Sequence, residues 1–347
     1  MIRKEPILRR DAFTLVEMMV VVAIIALLLA ALLPAFSSVR NQAKIAQANA
    51  QFKALDTGIN AFRAEAALGG ALPPSSSYNP EHRQKIADPK GTSPTTQVRV
   101  AGAHLLVQAM IGADGLGTPG FRSVPGDAKG LWSDDTYSKF DADPKKSGIY
   151  SIDPATGKEK FPRYGGAGYV DEKMKERVES LQQQINEGKV LNPPTSTDIA
   201  MNEGMFMDPW DHPILYYKAN PTSLRMIGAK DKPGVFWQED NGVITGTDKG
   251  LYTDSGVDFG QGKDGGYYHN IAVATGPEPS LAQTPNWMDT IRTDPQYDHS
   301  FARFILDVSV KTRPTPALKD SYLLMSAGPD ARYGTDDDVL NWTRKTD

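Results

Sequence analysis

Apolar residues form one nearly unbroken run near the start of the chain, from Met18 to Phe36. A helix of this length is about long enough to span a bilayer. Several of the first ten residues are Lys or Arg, and basic residues before a membrane helix hold that end in the cytoplasm. The pattern predicts a single membrane-spanning segment, with the bulk of the chain outside the cytoplasm.

A cleaved secretory signal peptide is the alternative interpretation of this run. The apolar part of a signal peptide is usually shorter, and it ends at a small-residue cleavage site, for which Ala30-Ala31 is the candidate. Leu32, Leu33 and Pro34 follow, and helix-forming sequence then continues without a break. This continuation favours a helix that stays in the mature protein.

Beyond Pro34 the pattern becomes that of an amphipathic helix. Apolar residues recur there at steps of three and four, so they share one helical face; they are Phe52, Leu55, Ile59 and Phe62. Lys44, Lys53, Asp56 and Arg63 are available for the other faces. We expect the helix to run to about residue 67 and to stop at Gly69-Gly70.

The remainder of the chain is rich in loops, since most of the 31 glycines and 25 prolines come after Gly69. A short buried helix is predicted over 98–111, a hairpin over 150–169 and an amphipathic helix over 171–187. The apolar stripe of that last helix consists of Met174, Val178, Leu181 and Ile185. Strands are predicted at 214–218, 224–228, 269–275, 301–308 and 322–326.

Composition narrows the possible functions. The formal net charge is -4 and no long run of Lys or Arg occurs, which argues against a nucleic-acid partner. The chain has no cysteine, so disulfides, thiol catalysis and thiolate metal sites are excluded. No hydrolase, nucleotide-binding or zinc motif appears. These observations predict a protein that is not an enzyme.

The segment Asp11-Ala12-Phe13-Thr14-Leu15-Val16-Glu17-Met18 resembles the processing site of type IV prepilins and pseudopilins. The resemblance implies that a prepilin peptidase cuts between Ala12 and Phe13 and methylates the new amino terminus. The family usually has Gly immediately before the cut, whereas this chain has the small residue Ala12. Residues 1–12 would then be a leader peptide.

Glu17 and Pro34 are the candidate assembly residues. An ionised carboxylate inside an apolar helix is costly in lipid unless a cation neutralises it. The family's proposed partner for Glu17 is the new amino terminus of Phe13 on a neighbouring subunit; the alternative is that Glu17 lies at the headgroup level and has no partner. Pro34 removes one backbone donor, which indicates either a kink or a site where the helix unwinds in a filament.

A second segment, Asp208-Pro209-Trp210-Asp211-His212-Pro213, resembles the Asp-Pro-Trp-Gly-x-Pro segment of the major pseudopilin of type II secretion. We expect Asp208 and Pro209 to set a turn, Trp210 to fill the core and a strand to follow. Asp211 stands where the family usually has Gly. His212 has no nearby His or Cys, so we interpret it as a turn residue rather than a metal ligand.

A third segment, from Leu324 to Val339, resembles the C-terminal calcium loop of the same pseudopilin. Its carboxylates are Asp330, Asp336, Asp337 and Asp338, and glycines at 328 and 334 allow the loop to curl. Calcium takes six to eight oxygen ligands, carbonyls included. The resemblance predicts Ca²⁺ bound by Asp330 and by Asp336 or Asp337, with carbonyls near Leu324 and Ser326. A solvated acidic turn is the alternative.

Together these resemblances imply an α+β, type IV pilin-like fold, in which a long N-terminal helix packs on a small antiparallel sheet with loop-rich insertions at about 72–200 and 231–298. The predicted segments are a leader (1–12), a transmembrane or filament-core helix (13–36), its amphipathic continuation (37–70) and an extracytoplasmic globular domain (71–347).

The implied function is a structural subunit of a type II secretion pseudopilus, a single-pass inner-membrane protein before assembly whose bulk is periplasmic. Its implied partners are other pilin-like subunits, prepilin peptidase, the inner-membrane assembly proteins and the membrane itself. The alternatives are a type IV pilus or competence pilin, and a membrane-tethered extracytoplasmic binding protein or enzyme.

Overall fold

A computed structural model describes residues 15–64, 70, 72–75, 101–111, 118–119, 163–164, 169–189, 204–223, 225–228, 234–245, 301–312 and 314–344. The chain divides into two compact units, Met1–Ala46 and Gln47–Asp347. The class is α+β, with an N-terminal helix and small antiparallel sheets, as the sequence predicted.

The described helices are α1 (Leu15–Ala64), α2 (Gly102–Ile111), α3 (Glu172–Lys175), α4 (Leu181–Asn186), a 3₁₀ helix (Gln238–Asn241), α5 (Gly242–Thr245) and α6 (Phe301–Phe304). The described strands are β1 (Thr118–Pro119), β2 (Arg163–Tyr164), β3 (Val178–Ser180), β4 (Gly204–Phe206), β5 (Leu215–Lys218), β6 (Ile227–Gly228), β7 (Phe236–Trp237), β8 (Tyr322–Ser326) and β9 (Val339–Leu340).

In the first unit, α1 exposes its apolar residues. Leu15 is 76% exposed and Leu27 is 71% exposed, and the other large apolar residues from Val16 to Leu29 are also exposed. Water does not favour a surface of this kind, so the segment needs an apolar environment. Among the residues whose side chains are described, no helical stretch is long and apolar enough to qualify as a membrane span.

In the second unit, the end of α1 carries a buried face. Phe52, Leu55, Ile59 and Phe62 are all buried, which confirms the predicted stripe. Gly58 lies on the same face, where a Cβ atom would come within 2.9 Å of the Tyr169 carbonyl oxygen. Glycine at this position therefore allows the backbone of residue 169 to approach the helix closely.

A three-stranded antiparallel sheet lies at the centre of the second unit, in the order β5-β8-β9. The register pairs Leu215 with Met325 and Ser326 with Val339. All five residues of β8 are buried, so both faces of this central strand are covered.

The two faces of the sheet meet different partners, because side chains alternate along a strand. On one face, the Tyr322 hydroxyl donates to Asp56 of α1 and the Tyr216 hydroxyl donates to the Pro73 carbonyl. On the other face, Tyr217 packs on Phe301 with ring centroids 5.0 Å apart. The sheet thus lies between α1 and the main hydrophobic core.

The outer edge of β5 is closed by side chains instead of another strand. The Asn241 side-chain amide donates to the Tyr216 carbonyl at 2.8 Å, and the Lys218 backbone N–H donates to the Ser75 hydroxyl at 2.8 Å. These bonds satisfy backbone groups that an open edge would leave free to pair with another chain.

Two predicted elements were wrong. The helix predicted over 171–187 is instead α3, β3 and α4 in succession, because Asp171 and Ser180 each cap a separate short helix and β3 pairs with β4. The strand predicted over 301–308 begins as helix α6. A short apolar run is compatible with either a strand or a helix. Here the helix places both Phe301 and Phe304 in the core, where both are buried.

Other predictions were confirmed in full or in part, differ from the structure in strand pairing, or lie outside the described residues. The helix predicted over 98–111 is α2, and the strands predicted at 214–218 and 322–326 are β5 and β8. Of the residues described in the segment 224–228, namely 225–228, the last two form β6, which pairs with β7 in parallel. In the predicted hairpin 150–169, β2 pairs instead with β1, far away in sequence. The predicted strand 269–275 lies outside the described residues.

Candidate functional site: the N-terminal helix, the Asp-Pro-Trp turn and the acidic loop

The N-terminal candidates lie at or before the start of α1. Glu17 is exposed in the first helical turn, where the positive end of the helix dipole favours a carboxylate. α1 continues as helix through position 34, so the chain is helical on both sides of the proline. Ala12 and Phe13 lie outside the described residues.

Asp208 organises the Asp-Pro-Trp turn from inside the protein. Its carboxylate is fully buried, and one oxygen accepts the backbone N–H groups of Trp210 at 2.8 Å and His212 at 2.9 Å. This is the local pattern by which Asp stabilises a turn. The turn is therefore as predicted, and the backbone of His212 is part of it.

Trp210 and Asp211 differ from the prediction. Trp210 is only partly buried, whereas the sequence suggested that it fills the core. Asp211 has a φ of 66°, in the left-handed region that favours glycine. The Arg177 guanidinium pairs with the Asp211 carboxylate at 3.0 Å, which gives the aspartate at this position a partner that glycine would lack.

The second and third motifs lie against each other although they are far apart in sequence. The Ser326 hydroxyl donates to the other oxygen of Asp208 at 2.6 Å. The fully buried Tyr333 donates its hydroxyl to the Pro213 carbonyl. The Asp-Pro-Trp turn and the acidic loop therefore form one structural site.

The acidic loop is curled by two glycines and closed by its own carboxylates. Gly328 and Gly334 both have positive φ, at 65° and 88°, as the sequence suggested. The Asp330 backbone N–H donates to Asp337 at 3.0 Å, and the Gly334 N–H donates to Asp338 at 2.7 Å.

Three of the loop's carboxylates influence one another. The pKa of Asp338 is raised to about 8: burial is the main cause, hydrogen bonds from the Gly334 and Thr335 backbone oppose it, and the charges of Asp330 and Asp337 add to it. Burial also raises the pKa of Asp330, with a contribution from Asp337. The loop thus brings carboxyl groups together in a place where their charged forms are disfavoured.

Asp336 stands apart from this group. Its side chain is 86% exposed and forms an ion pair with Arg344 at 3.1 Å. The Arg344 guanidinium also lies over the Phe304 ring, 4.6 Å from its centroid. The sequence analysis did not pair Asp336 with Arg344, because a cation eight residues further on gives no local pattern.

Both predicted carbonyl positions lie within strand β8. The Leu324 carbonyl accepts the Asn341 backbone N–H at 3.2 Å, and Ser326 pairs with Val339 in the sheet. Within the described part of the chain, no three His, Asp or Glu side chains form a group that could hold a metal ion. The carboxylate, hydroxyl and carbonyl groups of the loop are nevertheless all oxygen donors, the class that Ca²⁺ prefers.

One comparison with known proteins gives a match. Residues 8–33 match the family model described as the prokaryotic N-terminal methylation motif. This motif is typical of type IV pilin-like precursors, which prepilin peptidase processes and which assemble with other pilin subunits. The match spans the predicted cleavage position and Glu17. No curated protein and no solved structure matches the chain.

Proposed function

We propose that this chain is a structural subunit of a type II secretion pseudopilus. The observation that carries the proposal is the methylation motif at residues 8–33, which leads directly into α1 and its exposed apolar surface. In this proposal the precursor is a single-pass inner-membrane protein with its bulk in the periplasm. Prepilin peptidase cuts between Ala12 and Phe13, and α1 then packs among the helices of neighbouring subunits.

The exposed surface of α1 supports this assignment. Apolar side chains cover the helix from Leu15 to Leu29 on all sides, rather than along one stripe. A helix that is apolar all round is stable in lipid or in a bundle of similar helices. Membrane storage followed by filament assembly provides both environments in turn.

Glu17 is the charged exception within this surface. A carboxylate surrounded by apolar helices is costly unless a cation is close to it. In the proposed filament, the methylated amino terminus of Phe13 on a neighbouring subunit supplies that cation. The pair would set how far one subunit rises relative to the next.

The secretion branch is favoured over a pilus by the second and third motifs. Both resemble segments of the major pseudopilin, and they are joined through Asp208 and Ser326 at 2.6 Å. A type IV pilus or competence pilin is the nearest alternative. The remaining alternative is a tethered binding protein or enzyme; the site that these motifs build consists of turn-stabilising bonds and does not itself support that alternative.

Substitution of Glu17 in the native host tests the proposal. Glu17→Ala should give a processed, membrane-inserted protein that assembles poorly and reduces protein secretion; Glu17→Asp, which keeps the charge on a shorter side chain, should be intermediate. Cross-linking of filaments and assays of secreted proteins measure these effects.

The readouts of this experiment also separate the alternatives. Normal filaments from Glu17→Ala would show that apolar packing alone suffices. Loss of surface pili or DNA uptake, with secretion intact, would assign the subunit to a pilus instead.

We further propose that the acidic loop binds Ca²⁺ through Asp330 and Asp337, with Asp338 beside them. The mutual repulsion of these carboxylates is what a bound cation would relieve. Their side chains must turn towards the ion, since hydrogen bonds within the loop hold them in the present arrangement. Asp336 is the weaker of the predicted ligands because Arg344 already neutralises it.

A further inference from the structure

A cleft of about 400 Å³ opens beside the end of β5. This volume is within the range of about 300–1,000 Å³ that is typical of small-ligand sites. The cleft lies wholly within the second unit. Its lining residues are Pro74, Ser75, Lys218, Ala219, Asn220, Pro221, Trp237 and Asp240.

A buried hydrogen-bond network forms the polar side of this cleft. The Ser75 hydroxyl donates to the Asp240 carboxylate at 2.6 Å and accepts the Lys218 backbone N–H at 2.8 Å. Ser75 is 2% exposed and Asp240 is 5% exposed, so their positions are fixed by the fold. A carboxylate can accept several hydrogen bonds, so a ligand hydroxyl can add to the contacts that Asp240 already makes.

Lys218 supplies the complementary donor. Among the described residues, its ammonium group makes neither an ion pair nor a hydrogen bond, although the side chain is half-buried. Burial lowers the pKa of Lys218, and the negative charge of Asp240 opposes that shift. A partly desolvated ammonium with three N–H donors gains from any ligand that accepts hydrogen bonds.

The remaining walls are mostly apolar, with Asn220 as the polar exception. Pro74, Pro221 and the largely buried Trp237 contribute to them. Aromatic and proline rings lose little conformational freedom on binding, and they suit the C–H surface of a flat, saturated ring.

The charges of the lining residues favour a neutral ligand over an anion or a cation. Lys218 and Asp240 contribute one positive and one negative charge, so the cleft has no net charge to attract an anion or a cation. A ligand whose polar groups both donate and accept hydrogen bonds can bind Asp240 and Lys218. If these groups are carried on a ring with apolar faces, the ring can also pack against the apolar walls. We propose that the cleft is a binding site for a neutral saccharide, with Asp240 and Lys218 contacting its hydroxyl groups. This proposal does not depend on the pseudopilus assignment.

Calorimetry and saturation-transfer NMR test this site on the full chain, purified in a detergent that has no sugar headgroup. The probes are glucose, galactose, N-acetylglucosamine and their disaccharides, with glucuronate and glucosamine as charged analogues. We expect saturable binding of at least one neutral sugar, and weaker binding of its charged analogue.

Three variants locate the binding. Lys218→Met should weaken it about tenfold or more, since it removes hydrogen bonds to a charged donor. Lys218→Arg, which keeps the donor, should retain most of it. Lys319→Met is the matched control, because Lys319 is a partly exposed lysine that does not line the cleft and that pairs with its neighbour Asp320.

The outcomes that overturn the proposal are distinct. Absence of saturable binding for every neutral sugar at millimolar concentration would show that the cleft is not a saccharide site. Equal binding by Lys218→Met and Lys319→Met would place any sugar site elsewhere. Tighter binding of glucuronate would show that the cleft selects an acidic ligand instead.

Discussion

At the residue scale, single side chains and single backbone angles hold the site in place. Asp208 is the clearest case, because one buried carboxylate closes its own turn and receives the Ser326 hydroxyl of the other motif. The sequence identified Asp208 as a turn residue. It did not indicate the link to Ser326, because a contact between positions 118 residues apart leaves no local pattern.

Gly328 gives a prediction about backbone geometry. A Cβ atom there would collide with the Asp337 carbonyl oxygen, and φ is positive. Gly328→Ala should therefore lower the free energy of unfolding by about 2 kcal/mol or more. Gly188→Ala is the matched control: φ is also positive there, at 70°, but nothing lies within 4 Å of the added carbon.

Gly188→Ala should cost only the backbone strain, about 1 kcal/mol. Chemical denaturation of the two variants and of the original protein measures the difference. Equal losses in the two variants would contradict the account of how the loop is packed against residue 337.

The acidic loop gives a prediction about metal binding. If Ca²⁺ binds the folded protein alone, free calcium at 100 times its dissociation constant adds about 2.7 kcal/mol of stability. Thermal unfolding should then occur at a higher temperature in calcium than in chelator. Magnesium should substitute poorly, because it requires a tighter octahedral shell.

Two substitutions make this prediction specific. Asp330→Asn should abolish the calcium effect, whereas Asp336→Asn should preserve it, since Asp336 faces solvent and pairs with Arg344. A calorimetric titration without heat at millimolar calcium would establish the alternative, an acidic turn closed by its own hydrogen bonds.

At the element scale, secondary structure was predicted best where the apolar pattern was long and the element packs against one part of the core. The apolar stripe of α1 and the strand β8 follow this rule. Prediction failed for the segment 171–187, where helical spacing was real but pairing of β3 with β4 broke the helix in two. Tertiary hydrogen bonds decided that case, and no local propensity records them.

The helix α2 carries a titratable group that makes stability depend on pH. His104 is 1% exposed, and burial lowers its pKa from 6.5 to about 4. Between these values the unfolded chain binds a proton that the folded chain does not. Stability from this residue is thus complete above pH 6.5 and is lost as pH falls towards 4, by at most about 1.4 kcal/mol per pH unit.

Replacement of His104 tests this dependence. The Nδ1 atom of His104 accepts the Ala101 backbone N–H at 2.9 Å, and an asparagine oxygen can accept the same bond. His104→Asn should reduce the slope of unfolding free energy against pH over this range, whatever its effect on absolute stability. An unchanged slope would show that other groups cause the acid sensitivity.

At the scale of the whole molecule, the α+β class and the N-terminal motif could be predicted from the sequence, whereas calcium binding by the C-terminal loop stays a prediction. The N-terminal methylation motif is local and specific, so the residues alone reveal it. The cleft beside β5 could not be predicted, because Ser75, Lys218 and Asp240 come together only through the fold. The proposed role as a filament subunit depends on whether the N-terminal segment is cut between Ala12 and Phe13.

The most direct test of the central claim is the N-terminus of the mature protein from its native host, determined by mass spectrometry. The motif and the apolar surface of α1 predict an N-methylated chain that begins at Phe13. Glu17 would then be the fifth residue, placed for pairing with a neighbouring amino terminus. A stable chain that begins at Met1, or one cut after Ala31, would contradict the account.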